Sequence, residues 1–305
     1  MENNYIAQAR KGKTGVFAYI GGIILITVGV FLFSIPYSSK IQSLVSQGLA
    51  DASKVEDFNY LMTLMDSNLT LLYMTFPFLG GMLMLIVAVR FLHRFRWTHL
   101  TTARPSVDWK RICFSFLIWG GINAAMILLG AALNTEEVIW NFNAEKFAVL
   151  FVIALLMIPI QTSFEEYVFR GYLMQGLGLA TKTNWFPLLF TSVAFGLMHL
   201  SNPEVAKLGY GIMIFYIGTG FLLGVITLMD EGMELSLGFH AANNLITALL
   251  VTTDWTAFQT HAVFRDQSQP NLWLELGLVA GLFPLLIYIF AKKYQWSHWK
   301  QKLIG

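Results

Sequence analysis

Three polar clusters stand inside apolar stretches of the chain, and each carries side chains able to move protons. They are Glu165-Glu166-Tyr167-Val168-Phe169-Arg170, Phe195-Gly196-Leu197-Met198-His199 and His240-Ala241-Ala242-Asn243-Asn244. Glu166 and Arg170 are four residues apart on one helical face, so they can neutralise each other as a buried ion pair. Glu165 projects about 100° away from Glu166. Without a partner on its own helix it must find one on another or hold a proton, and such a carboxylate suits a general base. His240 and Asn244 share one face of a further helix. A lone histidine in an apolar helix is usually a hydrogen-bonded core residue; two of them beside an unpaired glutamate favour chemistry. The remaining histidines, His93, His99, His261 and His298, fall in loops or at helix ends, where solvated or interfacial roles are the default.

These side chains suggest a hydrolytic reaction. A water held between Glu165 and His199 can be deprotonated and attack a carbonyl carbon, while His240 and the Asn244 amide donate hydrogen bonds to the developing oxyanion. No cofactor is required in that scheme. The alternative places zinc on His199, His240 and Glu165, with an open position for water. No H-E-x-x-H and no G-x-S-x-G is present. The single cysteine, Cys113, lies far from either candidate histidine in sequence and rules out an intrachain disulfide. Serine and cysteine nucleophile schemes therefore have little support.

The elements that position these residues must be membrane helices. Of the 305 residues, 56% are hydrophobic and only 12% charged, far from the roughly 25% charged of soluble domains. With 18 or so mostly apolar residues as the criterion, eight spans are expected, at about 15–35, 70–92, 112–133, 147–178, 185–201, 207–229, 235–252 and 270–292. The first follows Arg10, Lys11 and Lys13 and reads as a retained anchor, being long and without a small-residue cleavage site. Lys and Arg crowd alternate connections: before the first span, between the second and third (Arg90, Arg94, Arg96, Arg104, Lys110, Arg111), and after the last (Lys292, Lys293, Lys300, Lys302). By the positive-inside rule both termini are cytoplasmic. The short Asp230, Glu231, Glu234 connection is an exception. On the outer side, Ile41, Leu44, Val45 and Leu49 recur at helical spacing and suggest a separate interfacial helix. Asn68-Leu69-Thr70 is a glycosylation sequon in an outer loop, and Gly220 and Gly224 form a G-x-x-x-G that favours close helix packing.

A depth estimate tests whether the clusters meet. At about 1.5 Å per residue, Glu165 and His199 lie roughly 20 and 22 Å from the cytoplasmic ends of their spans, whereas His240 and Asn244 come out at roughly 8 and 14 Å. The first two levels match. The last span of the set must start deeper, or tilt, to bring its residues alongside.

The three motifs resemble those of the CPBP family, the CAAX proteases and bacteriocin-processing enzymes, whose patterns are E-E-x-x-x-R, F-x-x-x-H and H-x-x-x-N or D. The resemblance covers about Gln161 to Asn244; the first three spans are similar to the family only in being apolar helices. It implies an all-α, eight-helix membrane peptidase with Glu165 as the water-activating base, His199 beside it, His240 and Asn244 on the oxyanion side, and Glu166 and Arg170 in support. It further implies a glutamate-type peptidase without an obligate metal, acting on a membrane-associated or lipid-attached peptide or protein. One membrane domain over 1–305 is expected, with N-terminal spans in 1–140, a catalytic core in 147–252 and a last span with basic tail in 270–305. With no eukaryotic retention signal apparent, the expected setting is a bacterial inner membrane, with membrane lipid as a further partner and no nucleic acid. Two rivals use the same residues: a catalytically silent scaffold or immunity protein, and a proton-coupled transporter, against which the absence of an internal repeat weighs.

Overall fold

Lipid offers the backbone no hydrogen-bonding partners, so a chain this apolar must satisfy its amides within helices. The computed structural model, which describes residues 4–305, does so almost throughout. Eight helices carry the architecture: α1 (Val16–Ser46), α2 (Ser67–His93), α3 (Trp109–Leu133), α4 (Ala144–Thr181), α5 (Trp185–Leu197), α6 (Tyr210–Asp230), α7 (Glu234–Leu250) and α8 (Leu272–Tyr294). Each corresponds to one of the eight expected spans. Six are long and apolar enough to cross a membrane; α5, with 13 residues, and α7, with 17, are shorter. The chain is a polytopic helical membrane protein. Its most enclosed span is α6 and its least is α1, so α6 lies among other helices while α1 shows most of its surface to lipid.

The connections sort into two ends, as an even number of crossings requires. At one end Tyr5 donates its backbone N–H to Glu231, Asn184 donates to the Lys302 carbonyl, and Lys302 pairs with Glu231. There too Arg104 bridges Asp230 and Glu234 at 2.9 and 3.1 Å, and Arg111 reaches Asp230. The acidic connection that broke the charge rule is thus neutralised by the basic segment between α2 and α3. At the opposite end Asn68 donates to the Lys146 carbonyl, His261 meets Asp66, and Gln259 donates to Asn59. A small sheet also closes this end: β1 (Val138–Trp140), β2 (Val251–Thr252) and β3 (Phe264–Asp266) in the order β1-β3-β2, with β1 antiparallel and β2 parallel to the central strand. Strands of two or three residues leave no readable alternation in a sequence.

Three expectations need correction. The separate interfacial helix at 41–49 does not form, because α1 continues through Pro36 to Ser46. The Asn68 sequon lies in the first turn of α2 with Asn68 and Thr70 buried, where no glycan can be accommodated. His93 is 2% exposed rather than solvated: its Nδ1 meets the Lys13 carbonyl and its Nε2 the Tyr172 hydroxyl.

Helix α6 packs against α5 through its glycines. A β-carbon on Gly220 would sit 2.6 Å from the Ser192 carbonyl oxygen, and one on Gly224 would meet the Leu188 side chain. The first obstacle is backbone and cannot turn aside. Gly220→Ala is therefore expected to force α5 and α6 apart at a cost of about 1–3 kcal/mol, measured as a lower unfolding temperature in detergent. Glycine 224, facing a flexible leucine, is expected to tolerate alanine better.

Candidate active site

Helix α4 contains a π-helical turn at Tyr167–Leu173. Such turns shift the register of side chains and recur at functional sites. Glu165 and Glu166 immediately precede this one, and Arg170 lies within it. Glu166 and Arg170 are both fully buried and pair at 3.1 Å, as their spacing led one to expect. The guanidinium also donates to the Gly220 carbonyl of α6 and lies over the Phe195 ring of α5 at 4.3 Å. One arginine thereby ties α4, α5 and α6 together.

His240 stands between the two glutamates. Its Nδ1 is 2.8 Å from Glu166 and its Nε2 is 3.4 Å from Glu165. Glu165 therefore finds a partner on α7 after all. An ionised carboxylate only accepts, so Nδ1 carries the proton that is shared with Glu166. The contacts of His240 with Glu165 and Glu166 put these residues side by side although their counts from the helix ends differ.

His199 comes from a different kind of element. Helix α5 ends at Leu197, and His199 occupies the turn that follows, with its Nδ1 2.8 Å from the Phe195 carbonyl. A carbonyl accepts only, so Nδ1 is the donor and the neutral ring presents Nε2 as a free acceptor. The ring is stacked on Tyr216 of α6 at 4.4 Å with 22° between planes, and tilts against Phe195 at 4.9 Å. Phe195 in turn meets His240 edge-on at 5.8 Å. His199 is thus one aromatic ring away from His240. Asn244 sits one turn beyond His240 and donates its amide to Gln161 of α4 at 3.1 Å. Because Gln161 precedes Glu165 by one turn, α4 and α7 meet in two rungs, Glu165 with His240 and Gln161 with Asn244.

All six residues read from the sequence lie in this one region. Gln161, Trp119, Asn243 and Tyr216 escaped that reading. Gln161 was detectable in principle, being a polar residue one turn from Glu165 in an apolar run; Trp119 and Tyr216 look like ordinary aromatic core residues. Among the described residues, no three His, Cys, Asp or Glu side chains are grouped so as to hold a metal ion.

After His199 the chain enters a short helix, Pro203–Leu208. Glu204 accepts the Ala257 N–H at 2.9 Å, while its other oxygen is buried near Tyr216 without a hydrogen bond. Burial holds the Glu204 carboxyl above the ordinary glutamate range, partly offset by that bond. Its ionisation therefore opposes folding as pH rises. Glu204→Gln is expected to raise the unfolding temperature at neutral pH. The gain should fade as pH falls to the ordinary glutamate range, where the wild-type side chain is protonated in both states.

The family model for Rce1-like type II CAAX prenyl endopeptidases matches residues 144–246, which run from the start of α4 into α7 and include all six site residues read from the sequence. An uncharacterized protein, YyaK of Bacillus subtilis (strain 168), is 30% identical over 218 residues, covering 71% of each chain. The chain belongs to the CPBP family of CAAX-protease-type membrane proteins. No solved structure matches it. In this CPBP protein the matched segment supplies the two rungs between α4 and α7, the α5 turn and the α6 face behind it. Helices α1, α2, α3 and α8 lie outside the matched segment, and of these α3 contacts the site by way of α7.

Proposed function

We propose that the protein is a membrane-embedded endopeptidase of the glutamate type, acting on the C-terminal region of a prenylated or otherwise membrane-attached peptide or protein. The observation that carries this reading is the shared tethering of the two imidazoles. His199 is anchored at Nδ1 by a carbonyl and His240 at Nδ1 by Glu166, which leaves each Nε2 for chemistry, that of His240 at 3.4 Å from Glu165.

In the proposed reaction, Glu165 takes a proton from a water that also donates to His199 Nε2. The resulting hydroxide attacks the scissile carbonyl carbon. The negative charge moves onto the carbonyl oxygen, where His240 and the second N–H of Asn244 donate to it. Collapse of the tetrahedral species breaks the C–N bond as the proton held by Glu165 passes to the leaving amine. Glu166 and Arg170 hold the His240 ring and the helix beneath it. The positive-inside rule places the end formed by both termini in the cytoplasm, and a bacterial inner membrane is the proposed setting.

The test is cleavage of a peptide library, including S-farnesylated C-terminal CAAX sequences, by purified protein in detergent with and without chelator. Retained activity in chelator, together with loss in His199→Ala, is expected. Loss in chelator with recovery on adding zinc would replace this scheme by one with zinc on His199, His240 and Glu165. Absence of cleavage by a folded protein would point to a scaffold.

A further inference from the structure

Helix α7 carries adjacent asparagines, Asn243 and Asn244, which point in different directions. Asn243 faces α3, where the Trp119 indole donates to its Oδ1 at 3.0 Å. The Asn243 amide donates to Asn244 Oδ1 at 3.0 Å, and Asn244 donates to Gln161 Oε1 at 3.1 Å. We propose that Trp119 and Asn243 are positioning residues that fix which way the Asn244 amide points, through a one-way relay of hydrogen bonds. The inference rests on the reading of Asn244 as an oxyanion donor.

The direction of the relay follows from chemistry alone. An indole N–H donates and never accepts. Asn243 must therefore turn its oxygen to Trp119 and its nitrogen to Asn244; Asn244 must answer with its oxygen and send its own nitrogen towards Gln161. A side-chain amide has no intrinsic preference between its two flipped states, so something must set it. Here the donor-only group is itself immobilised. Trp119 is 2% exposed, stacked on Phe239 at 4.6 Å and edge-on to Phe283. The backbone at Asn243 is held as well: Asn123 of α3 donates to the Asn243 carbonyl at 3.3 Å and to Thr247 at 3.1 Å.

The consequence lies at the site. With one N–H spent on Gln161, Asn244 keeps its second N–H on the helix face it shares with His240. A flipped Asn244 would instead present its carbonyl oxygen, which repels an oxyanion. It would also set amide nitrogen against nitrogen at Asn243, whose own direction Trp119 fixes. Chained hydrogen bonds polarise one another, so the relay strengthens the donor as well as aiming it. A tryptophan on a helix outside the matched segment thereby reaches the site through two amides.

The experiment uses the full-length protein in detergent and a fluorogenic S-farnesylated CAAX peptide. Trp119→Phe removes the N–H and keeps the aromatic stack. It is expected to lower kcat about 3- to 10-fold with KM unchanged, below the 10²- to 10³-fold cost of deleting an oxyanion donor outright. Asn243→Asp keeps the acceptor for Trp119 but sets a carboxylate oxygen against Asn244, driving the flip; despite its isosteric shape it should cost more than Trp119→Phe. In an Asn244→Ala background neither change should lower kcat further, whereas a purely structural contribution would persist there.

If Asn244→Ala leaves kcat intact, the oxyanion reading of Asn244 fails and the relay loses its function with it. If Asn244→Ala is damaging but Trp119→Phe has no effect, or an additive one, only the relay is overturned. Should the peptide not be cleaved, the Trp119 indole N–H resonance, identified by its loss in Trp119→Phe, decides. It is expected to shift on Gln161→Leu, two amides away, and an unmoved resonance would refute the relay.

Discussion

Glu165→Ala is expected to lower kcat for peptide cleavage by roughly 10²- to 10⁴-fold, the usual contribution of a positioned general base, while the protein still folds. The structure explains why the two effects separate. Glu165 is outside the Glu166–Arg170 pair, its side chain is 14% exposed, and its closest charged contact is His240 Nε2 at 3.4 Å. Truncating it removes the proton acceptor and leaves His240 anchored to Glu166. Cleavage kinetics and thermal unfolding of the same detergent preparation are the measurements. A variant that cleaves like wild type would remove Glu165 from the reaction, and a variant that fails to fold would assign it to structure.

Its neighbour is expected to do the reverse. Glu166→Gln should destabilise the protein by about 3–5 kcal/mol, the cost of leaving one member of a buried ion pair without its counter-charge. Arg170 is fully buried, and with Glu166 neutralised it retains the Gly220 carbonyl and the Phe195 and Phe169 rings but no counter-charge in hydrogen-bond contact. The loss should appear as a large drop in unfolding temperature. Combining Glu166→Gln with Arg170→Met should recover much of it, since an apolar replacement of both partners leaves no orphaned charge. Activity should remain impaired in the double variant, because His240 Nδ1 still lacks its carboxylate. Two adjacent glutamates thus predict opposite phenotypes, one kinetic and one structural, and an exchange of those phenotypes would invert the assignment of roles.

Glu165 and Glu166 lie in the regular α-helical part of α4, immediately before the π-helical turn, and so project about 100° apart. Here both reach His240, from its two opposite nitrogens. The ring is consequently clamped on one side by a carboxylate committed to Arg170 and on the other by a carboxylate with no second partner. A histidine held in this way has a set orientation and one working edge.

What the amino-acid sequence determined by itself was local or was imposed by lipid. Apolar runs declared the helices because hydrocarbon leaves the backbone no other solution, and glutamates and histidines within them stood out because their burial is costly. The Glu166–Arg170 pair was legible because it spans a single turn, and the alternating basic connections foretold which segments share an end. Everything that depends on one helix rotating or sliding against another was decided by tertiary packing. The short α5 that delivers His199 on a turn, the packing of α7 on α4 that brings His240 to Glu165, the burial of His93 and the reach of Trp119 into the site all belong to that class. Helical periodicity specifies which residues share a face, whereas the depth and angle at which faces meet follow from contacts such as Gly220 on Ser192 and Arg170 on Gly220, between residues that are distant along the chain.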